Sequence, residues 1–392
     1  MDHSIVGSFD CLAGLRVVEL GQVLAAPFGG MIFSDLGAEV IKVERPIDGD
    51  DGRRMGPRFE GGDALIFGDL NRGKASVAID FKSPDGLRDL LSLIGTADIL
   101  ISNLRPGVAE SSGFDAVILH ARFPRLIYCT LSAFGHRGPM KDRPGYEPLV
   151  QAFSGMASVN GYADNPPVRT GSSVVDLGSG MWIVLSALAA LRRRDMTGMG
   201  SVINLSLLET ALTWVSQDAS ASMNEGRTPT RRGNGHPLLV PYEAFATDDG
   251  PLMIAVGNDR QFRRFATLLG HPEWGDDPDF SKNSARLTNR ARLIALIRPI
   301  IAQTSRAEWV SLLAGQDVPC AEFNSIPEAL DSEQVGALGI VTRSAQTGRQ
   351  MCNLPFTIDG YRPGNPSAAP AVGEHNAMLL KAEADPVLQP VV

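Results

Sequence analysis

The segment that most constrains the fold is LRVVELGQVLAAPFGGMIFSDLGAEVIKVERP, residues 15–46. Its apolar runs at 17–20 and 40–43 are short and bounded by Gly or Pro, which is typical of strands buried in a parallel sheet. Between them, residues 25–35 can form a helix with Pro27 in its first turn, where the missing N–H costs nothing. The segment predicts a β-α-β unit, a beginning that many α/β proteins share.

The ends of these two strands are where such a unit would bind a ligand. In open α/β sheets, ligands lie beyond the carboxyl ends of the strands, and a helix N-terminus there offers free N–H groups to an anion. Residues 22–26 follow the first strand, and Glu44 and Arg45 end the second. We therefore expect a phosphate-bearing ligand at this edge of the sheet.

The alternation of strands and helices continues along the first half of the chain. Strand-like segments occur at 74–80, 99–102 and 126–131, with helical segments between them. Strands separated by helices at this spacing predict a mostly parallel sheet that is covered on both faces. The polar, Gly- and Arg-rich segment 48–62 is typical of an exposed loop.

A long helix is predicted over 176–194. Asp176 can serve as its N-cap, Arg residues near its end complement the helix dipole, and Gly198 stops it. The apolar run 181–191 inside this helix is too short to span a bilayer, which takes roughly 20 residues. The first fifteen residues do not resemble a signal peptide. We expect a cytoplasmic location.

The length of 392 residues exceeds one ordinary core, so two domains are expected. Residues 225–236 are rich in Arg, Gly, Thr and Pro and are typical of a linker, and 242–256 suggests short strands around a turn. The expected fold class is α/β, with a Rossmann-like large domain and a smaller α+β domain. The expected ranges are 1–215 for the large domain, 216–325 for the linker and small domain, and 326–392 for a segment returning to the large domain with a helix near 374–383.

Charge and motifs narrow the function. A net charge of -8 argues against nucleic acid or an anionic membrane as the main partner and favours a small molecule. The four cysteines lie far apart without paired ligand spacing, so we expect no metal site. GxGxxG after a strand, GxxxxGK[ST], GxSxG and HExxH are all absent, which disfavours dinucleotide, P-loop, serine-hydrolase and zincin chemistry.

Seven blocks of sequence carry a resemblance to a known family. In chain order they are DLGAEVIKVERP, LNRGKASVAIDFKSPDG, NLRPG, RPGYEPLVQAFSG, PPVRTGSSVVDLGSG, VPYEAF and VPCAEFNSIPEAL. Together they resemble the class III CoA-transferases, of which formyl-CoA transferase is the best-known type and α-methylacyl-CoA racemase a sister branch. The similarity covers nearly the whole chain and leans toward members that use dicarboxylate donors such as succinyl-CoA. It implies an interlocked homodimer.

The resemblance implies that Asp176 is a nucleophile. A carboxylate with the reference pKa of about 3.9 is ionised at neutral pH and needs no base to attack a thioester. The implied reaction proceeds through an aspartyl anhydride and an aspartyl-CoA thioester to a new acyl-CoA. The alternative is that Asp176 only caps its helix, and the two roles are compatible.

The resemblance also implies a CoA site built from cations and apolar walls. Arg grips a phosphate through a forked pair of hydrogen bonds and Lys acts as a point charge, although either is often only a solvated surface charge. A basic residue that some members place near Ser111 is missing here, and Pro144 replaces another, so the adenine-end contacts depart from the family pattern. The implied CoA contacts are Leu24, Ala25, Arg45, Ile79, Lys82, Asn103, Leu104, Arg105 and Tyr146.

Tyr146 separates transferase from racemase. Racemases of this superfamily carry a histidine at the matching place, because moving an α-proton needs groups that titrate near neutrality, whereas tyrosine titrates near 10. Tyr146 is therefore expected to line the CoA pocket near the thioester. His236 either contacts substrate or lies on the surface. Asp259 sits where racemases carry an acid, so that activity stays open as the alternative.

Glycines and a polar loop complete the expected site. Gly178 and Gly180 either allow the substrate to approach the backbone closely or serve helix packing. The loop with Gly257, Asn258 and Asp259 is either a lid that shields the anhydride from water or an ordinary polar turn. Candidate readers of a distal carboxylate on the substrate are Arg53, Arg54, Arg169 and Arg260.

We expect an acyl-CoA:carboxylate CoA-transferase. Its partners are acyl-CoA and small carboxylic acids, with CoA as a substrate and no permanently bound cofactor. Besides the racemase, a catalytically silent CoA-binding protein is the remaining alternative. It would bind CoA without exchanging a labelled acid with its thioester.

Overall fold

The computed structural model describes residues 10–58 and 62–380. The chain forms two compact units: the first comprises residues 1–156, 169–226 and 336–392, and the second comprises 157–168 and 227–335. The ranges expected from sequence instead kept 157–168 in the first domain and began the return segment at 326. Residues 157–168 lie with the second unit because Arg231 donates hydrogen bonds to the carbonyls of Tyr162 and Ala163.

The helices and strands follow one another closely along the chain. Up to residue 226 they are β1 (Arg16–Leu20), α1 (Ala25–Asp35), β2 (Glu39–Glu44), α2 (Leu65–Leu70), β3 (Ala75–Ala78), α3 (Pro84–Gly95), β4 (Ile99–Ser102), α4 (Val108–Ser111), α5 (Ala116–Arg122), β5 (Ile127–Ser132), α6 (Glu147–Phe153), α7 (Met156–Val159), α8 (Val174–Thr197), β6 (Ser201–Ser206), α9 (Leu207–Trp214) and α10 (Ser216–Glu225). After it they are β7 (Tyr242–Ala246), β8 (Pro251–Ala255), α11 (Asp259–Leu268), α12 (Asn283–Thr288), α13 (Arg290–Ile301), α14 (Arg306–Ala314), β9 (Cys320–Glu322), α15 (Ile326–Asp331), α16 (Glu333–Leu338), β10 (Val341–Arg343), β11 (Gln350–Cys352) and α17 (Asn376–Leu379). Short 3₁₀ helices lie at Asp51–Arg54 and Pro272–Gly275.

The first unit is built on a six-stranded sheet in the order β3-β2-β1-β4-β5-β6, with every neighbouring pair parallel. In this doubly wound order, β2 and β3 extend the sheet on one side of β1, and β4 to β6 extend it on the other side. The strand order therefore reverses between β1 and β4. The α/β fold class is confirmed. The β-α-β prediction for 15–46 is also confirmed, since β1, α1 and β2 lie within that segment.

Helices α1 and α8 cross at glycines on one face of this sheet. A Cβ on Gly180 would lie 2.7 Å from the carbonyl oxygen of Ala25, and one on Gly29 would lie 3.2 Å from that of Gly180. The absence of side chains at these positions therefore lets the two backbones approach closely. Ile183 and Ala187 of α8 are fully buried in the same core.

The start of α8 differs from the prediction. The helix begins at Val174, Ser173 is the N-cap residue, and Asp176 is in the first turn. The N-cap role predicted for Asp176 is therefore wrong, because the helix begins two residues earlier. The predicted end is confirmed, since Gly198 takes a left-handed conformation at the C-cap with φ 76°.

The whole of α8 is longer than its apolar run. With 24 residues it is the one helix of the described ranges that is long and apolar enough to cross a membrane. Length and composition are weak evidence here, since core helices pass the same test, and α8 packs against α1 and the sheet.

In the part of the chain that the structure describes, no group of three or more His, Cys, Asp or Glu residues could hold a metal ion.

The second unit is α+β. Strands β7 and β8 form an antiparallel hairpin, and β9 pairs with β8 on the other side. Helices α11, α13 and α14 bury aromatic and aliphatic side chains against this sheet, among them Phe262, Phe265 and Trp309. The predicted strands within 242–256 are therefore present.

The C-terminal segment covers the edge strand β3 of the first unit. The backbone N–H of His375 donates to the carbonyl oxygen of Ser76 at 2.9 Å, and the N–H of Ala78 donates to Oδ1 of Asn376 at 2.8 Å. These bonds satisfy the free edge of the sheet, which would otherwise invite pairing with another chain. The predicted helix near 374–383 is shorter, Asn376–Leu379, and residues 381–383 lie outside the described ranges.

The segment 48–62 is not simply an exposed loop. Within its described part, Asp50 and Arg53 are buried, with 2% and 5% of their surface exposed. Arg53 stays buried because Glu44 and Asp63 accept hydrogen bonds from its guanidinium. The prediction failed because composition marks a turn-rich segment but does not reveal which of its charges find partners.

Candidate active site

The carboxyl ends of β1 and β4 meet where the strand order reverses. The N–H of Gln22 donates to Oδ1 of Asn103 at 2.9 Å, and Nδ2 of Asn103 donates back to the carbonyl oxygen of Gln22 at 2.9 Å. Asn103 therefore fixes the turn after β1 instead of lining the adjoining cleft. Leu24, the N-cap residue of α1, makes no side-chain cap hydrogen bond.

A cleft of about 240 Å³ opens beside this junction. Four of the implied CoA contacts line it together: Arg45, Ile79, Lys82 and Leu104. Its other lining residues are Leu20, Gln22, Val43, Glu44, Pro46, Asp80 and Phe81. The cleft thus combines two cations and apolar walls, which suit a nucleotide with phosphate groups, with the carboxylates of Glu44 and Asp80.

The remaining implied CoA contacts lie outside the lining of this cleft. Ala25 is buried, with 4% of its surface exposed, so it can offer only backbone atoms to a ligand. Arg105 is exposed beyond β4.

Arg45 already donates to the carbonyl oxygen of Gly49 and to Oδ1 of Asp51, and it would have to share its guanidinium with a phosphate.

A buried ionic network holds the turn after β1 from beneath. Nζ of Lys42 lies 2.9 Å from Glu19 and 2.8 Å from Asp50, and all three side chains are buried. Burial lowers the pKa of Lys42, but the carboxylates of Glu19 and Asp50 outweigh burial and raise it above its ordinary value. Asp50 in turn accepts the N–H of Val23, a residue with φ 68°. Such a strained residue persists only when its surroundings fix it.

Lys74 completes this network from the loop before β3. Its ammonium group donates to Glu19, to Asn71 and to the carbonyl oxygen of Pro27. Burial lowers the pKa of Lys74 to about 8, and the attraction of Glu19 only partly offsets burial. The base of the cleft is thereby held by hydrogen-bonded charges in a dry interior.

Asp176 lies in the first turn of α8. Burial, followed by the negative charge of Glu147, raises the pKa of Asp176 to about 7. The pKa of Asp176 therefore lies well above the reference value of about 3.9 on which the expectation of full ionisation was based. Burial and a neighbouring negative charge both disfavour the ionised form of Asp176.

Glu147 is the functional neighbour that the sequence analysis missed. It is 3% exposed, and its Oε1 accepts from Nε2 of Gln151 and, at 3.4 Å, from the N–H of Val175. Its Oε2 is buried without a hydrogen-bond partner in the described residues. The signal was present: Glu147 and Gln151 are four apart in the block RPGYEPLVQAFSG, and such residues share one face of a helix.

Gly178 faces a tryptophan. A Cβ on Gly178 would lie 2.5 Å from the indole ring of Trp214, and the residue is buried. Gly178 and Gly180 thus both pack closely against neighbouring groups, which is one of the two roles left open for them.

Tyr146 directly precedes Glu147 and is 69% exposed. It is the N-cap residue of α6, outside the lining of the 240 Å³ cleft. It adjoins the carboxylate pair, which is consistent with a place near the thioester rather than the adenine.

The other implied substrate residues belong to the second unit. Asn258 caps α11 by accepting the N–H of Gln261. Gly257 donates its N–H to the side-chain oxygen of Gln261. Asp259 accepts hydrogen bonds from Asn283 and Arg286. The loop is thus tied by local hydrogen bonds.

His236 packs by its ring. It stacks on Tyr242 with ring centroids 4.9 Å apart, and its Nδ1 accepts the N–H of Leu238. This leaves the other ring nitrogen for any contact with substrate.

Comparison with known proteins identifies the class. The family model of CoA-transferase family III matches residues 12–376, and the chain belongs to this family. It is 36% identical to the acetyl-CoA:oxalate CoA-transferase of Acetobacter aceti over 97% of both chains, and 35% identical to the succinate–glutarate CoA-transferase of Agrobacterium fabrum over 94% of both. A CaiB/BaiF family protein from Brucella suis shares the fold with a TM-score of 0.84 and 36% identity, over 94% of this chain and 98% of that one.

More particularly, the protein is an enzyme of the CoA-transferase type that uses CoA thioesters as substrates. The resemblance inferred from the seven sequence blocks is confirmed.

Proposed function

We propose that this enzyme transfers CoA from an acyl-CoA donor to a free carboxylate through covalent intermediates on Asp176. The observation that carries the proposal is the placement of Asp176 in the first turn of α8 beside Glu147, with a pKa of about 7. A carboxylate that burial destabilises as an anion is a better nucleophile than a well-solvated one.

The proposed reaction has four steps, and its atoms balance. A carboxylate oxygen of Asp176 attacks the thioester carbonyl, so a C–O bond forms, the C–S bond breaks and CoA leaves as a thiolate. The thiolate attacks the aspartyl carbonyl of the anhydride, which forms an aspartyl-CoA thioester and releases the donor acid. An acceptor carboxylate attacks this thioester and regenerates an anhydride and thiolate. The thiolate then attacks the acceptor acyl carbonyl, giving the new acyl-CoA and free Asp176.

We propose dicarboxylates as substrates, with succinyl-CoA as a donor. The support is that the named relatives act on oxalate, succinate and glutarate, all of which carry two carboxyl groups. The acidic chain itself does not favour anionic ligands, so local cations must recognise them. CoA would occupy the cleft lined by Arg45 and Lys82.

We propose a homodimer that assembles through an apolar face of the first unit. Large apolar side chains on α6, α8 and α9 are exposed on neighbouring helices, and exposed apolar patches mark interaction surfaces, whereas apolar residues scattered singly do not. They are Leu149, Phe153, Met181, Leu185, Leu212 and Trp214, each 44–57% exposed. Light scattering should give about twice the chain mass of 41.9 kDa. A monomer would contradict this assignment.

A cytoplasmic location remains our expectation, to be checked by cell fractionation.

Substitution of the nucleophile tests the mechanism. Asp176→Ala should abolish transfer from succinyl-CoA to glutarate, while binding of free CoA stays within about twofold. Intact mass of the wild type quenched during turnover should show an added CoA or acyl group, and hydroxylamine should trap it. The matched control is Asp195→Ala, an exposed aspartate at the other end of α8, which should keep full activity.

Transfer by Asp176→Ala at the wild-type rate would overturn the assignment of the nucleophile. Wild-type enzyme that exchanges the α-proton of an acyl-CoA with deuterated water, without an acceptor acid, would instead show a racemase. Binding of CoA with no exchange between a labelled acid and its thioester would show a silent binding protein.

A further inference from the structure

Of the candidate readers of a distal carboxylate, Arg53 is excluded by its buried partners, and Arg54 is occupied by neighbouring groups. Arg53 is buried and donates to Glu44, to Asp63 and to the carbonyl oxygen of Pro370. Arg54 is paired with Asp51 at 3.0 Å. Arg53 cannot turn to a substrate without breaking buried bonds to charged partners, and Arg54 already shares its guanidinium between Asp51 and the carbonyl oxygen of Asp48.

Arg169 is placed differently. It is exposed, and its Nη1 donates to the carbonyl oxygen of Thr170 at 3.1 Å. It has no carboxylate partner among the described residues. Its guanidinium therefore keeps most of its five donors for another group.

A chain of hydrogen bonds joins the backbone beside Arg169 to the carboxylate pair. The N–H of Thr170 donates to Oε1 of Gln151 at 3.0 Å, and Nε2 of Gln151 donates to Oγ1 of Thr170 at 2.9 Å. The same Nε2 donates to Glu147, which accepts the N–H of Val175, the residue before Asp176. The segment that carries Arg169 is thus fixed against the first turn of α8, all within the first unit.

The chemistry of a dicarboxylate requires such a cation. When the thioester of a dicarboxylic acyl-CoA approaches Asp176, its distal carboxyl group carries a negative charge toward Asp176 and Glu147, which already repel each other. Like charges brought together in a partly dry site are costly unless a cation compensates them. The planar fork of an arginine matches the two oxygens of a carboxylate.

We propose that Arg169 binds the distal carboxylate of a dicarboxylic acyl donor or acceptor and thereby selects dicarboxylates over monocarboxylates. This inference rests on the proposed function, since it assigns the substrate class of the same site. Arg169 acts as a specificity residue, and the covalent steps remain with Asp176.

The test compares acceptors of two kinds with one donor. Wild type and Arg169→Gln are assayed with succinyl-CoA as donor and glutarate or butyrate as acceptor. A charged hydrogen bond contributes about 1.5–3 kcal/mol, so kcat/KM for glutarate should fall roughly 10- to 100-fold. With butyrate as acceptor, kcat/KM should change only through the effect of Arg169 on the donor, succinyl-CoA. Assays of Arg169→Gln with butyryl-CoA as donor remove this effect. Arg169→Lys should restore part of the preference, because Lys supplies charge without the fork.

Two control variants sharpen the test. Arg192→Gln removes an exposed guanidinium on the far half of α8 and should leave the ratio of the two acceptors unchanged. Arg260→Gln removes the remaining candidate on α11 of the second unit. Circular dichroism should show that all variants are folded, as expected for exposed positions.

The outcomes separate this inference from the proposed function. Wild type that transfers CoA, with an acceptor ratio unaltered in Arg169→Gln, overturns the role of Arg169 alone. A change of that ratio in Arg260→Gln but not in Arg169→Gln does the same. Wild type that prefers butyrate over glutarate overturns the substrate class. Wild type that transfers CoA to no carboxylate overturns the proposed function and this inference together.

Discussion

Replacing Glu147 with glutamine should move the pH dependence of the enzyme. Only the ionised form of Asp176 can attack a thioester, and its pKa lies at about 7 instead of the ordinary 3.8, chiefly through burial and secondly through Glu147. A displacement of that size corresponds to roughly 4 kcal/mol of extra cost for the ionised form. Below pH 7, kcat/KM of the wild type should fall by about tenfold per pH unit, so that activity at pH 5 is about a hundredth of the plateau.

In Glu147→Gln, the hydrogen bonds to Gln151 and to the N–H of Val175 can persist, because the amide oxygen still accepts them. The negative charge is lost, so the pKa of Asp176 should fall and the acidic limb of the kcat/KM profile should move to lower pH. Burial remains, so the limb should stay above pH 4.

The assay is the initial rate of new thioester formation between pH 5 and 9 at constant ionic strength. Glu110→Gln, which removes an exposed carboxylate from α4, is the control and should leave the midpoint where it is. A wild-type profile that is flat down to pH 5 would refute the reasoning about Asp176. An unchanged midpoint in Glu147→Gln would refute the coupling between the two carboxylates.

Two further predictions concern the cleft and the network beneath it. Arg45→Gln and Lys82→Gln should each raise KM for the acyl-CoA several-fold with a smaller effect on kcat, because both cations line the cleft away from the reacting bond; equal losses in kcat for several acyl donors would contradict this. Lys42→Met should lower the free energy of unfolding by about 3–5 kcal/mol in urea titrations, because it leaves Asp50 buried without its cation and Glu19 with Lys74 alone. A loss below about 1 kcal/mol would show that the two carboxylates become protonated or hydrated at little cost.

Much of the fold was readable because its signals are local. The strands β1 and β2 and the helix between them follow from apolar runs, Gly and Pro within one short segment. The edge strand β6 escaped prediction because its side chains alternate between partly buried and exposed, so it lacks the apolar run of an inner strand. The start of α8 was misplaced by two residues, since Ser173 and Asp176 are both acceptable near a helix N-terminus.

The sequence by itself determined the family, the α/β class and the identity of the carboxylate proposed to react, because these depend on residue types in a fixed order along the chain. Only the tertiary structure decided that burial and Glu147 raise the pKa of Asp176, that Gly178 faces Trp214, and that Arg53 is occupied. The physical reason is that burial and Coulomb interactions depend on distances between segments that are remote in sequence. Glu147 and Asp176 influence each other through packing of α6 against α8, which no local pattern encodes.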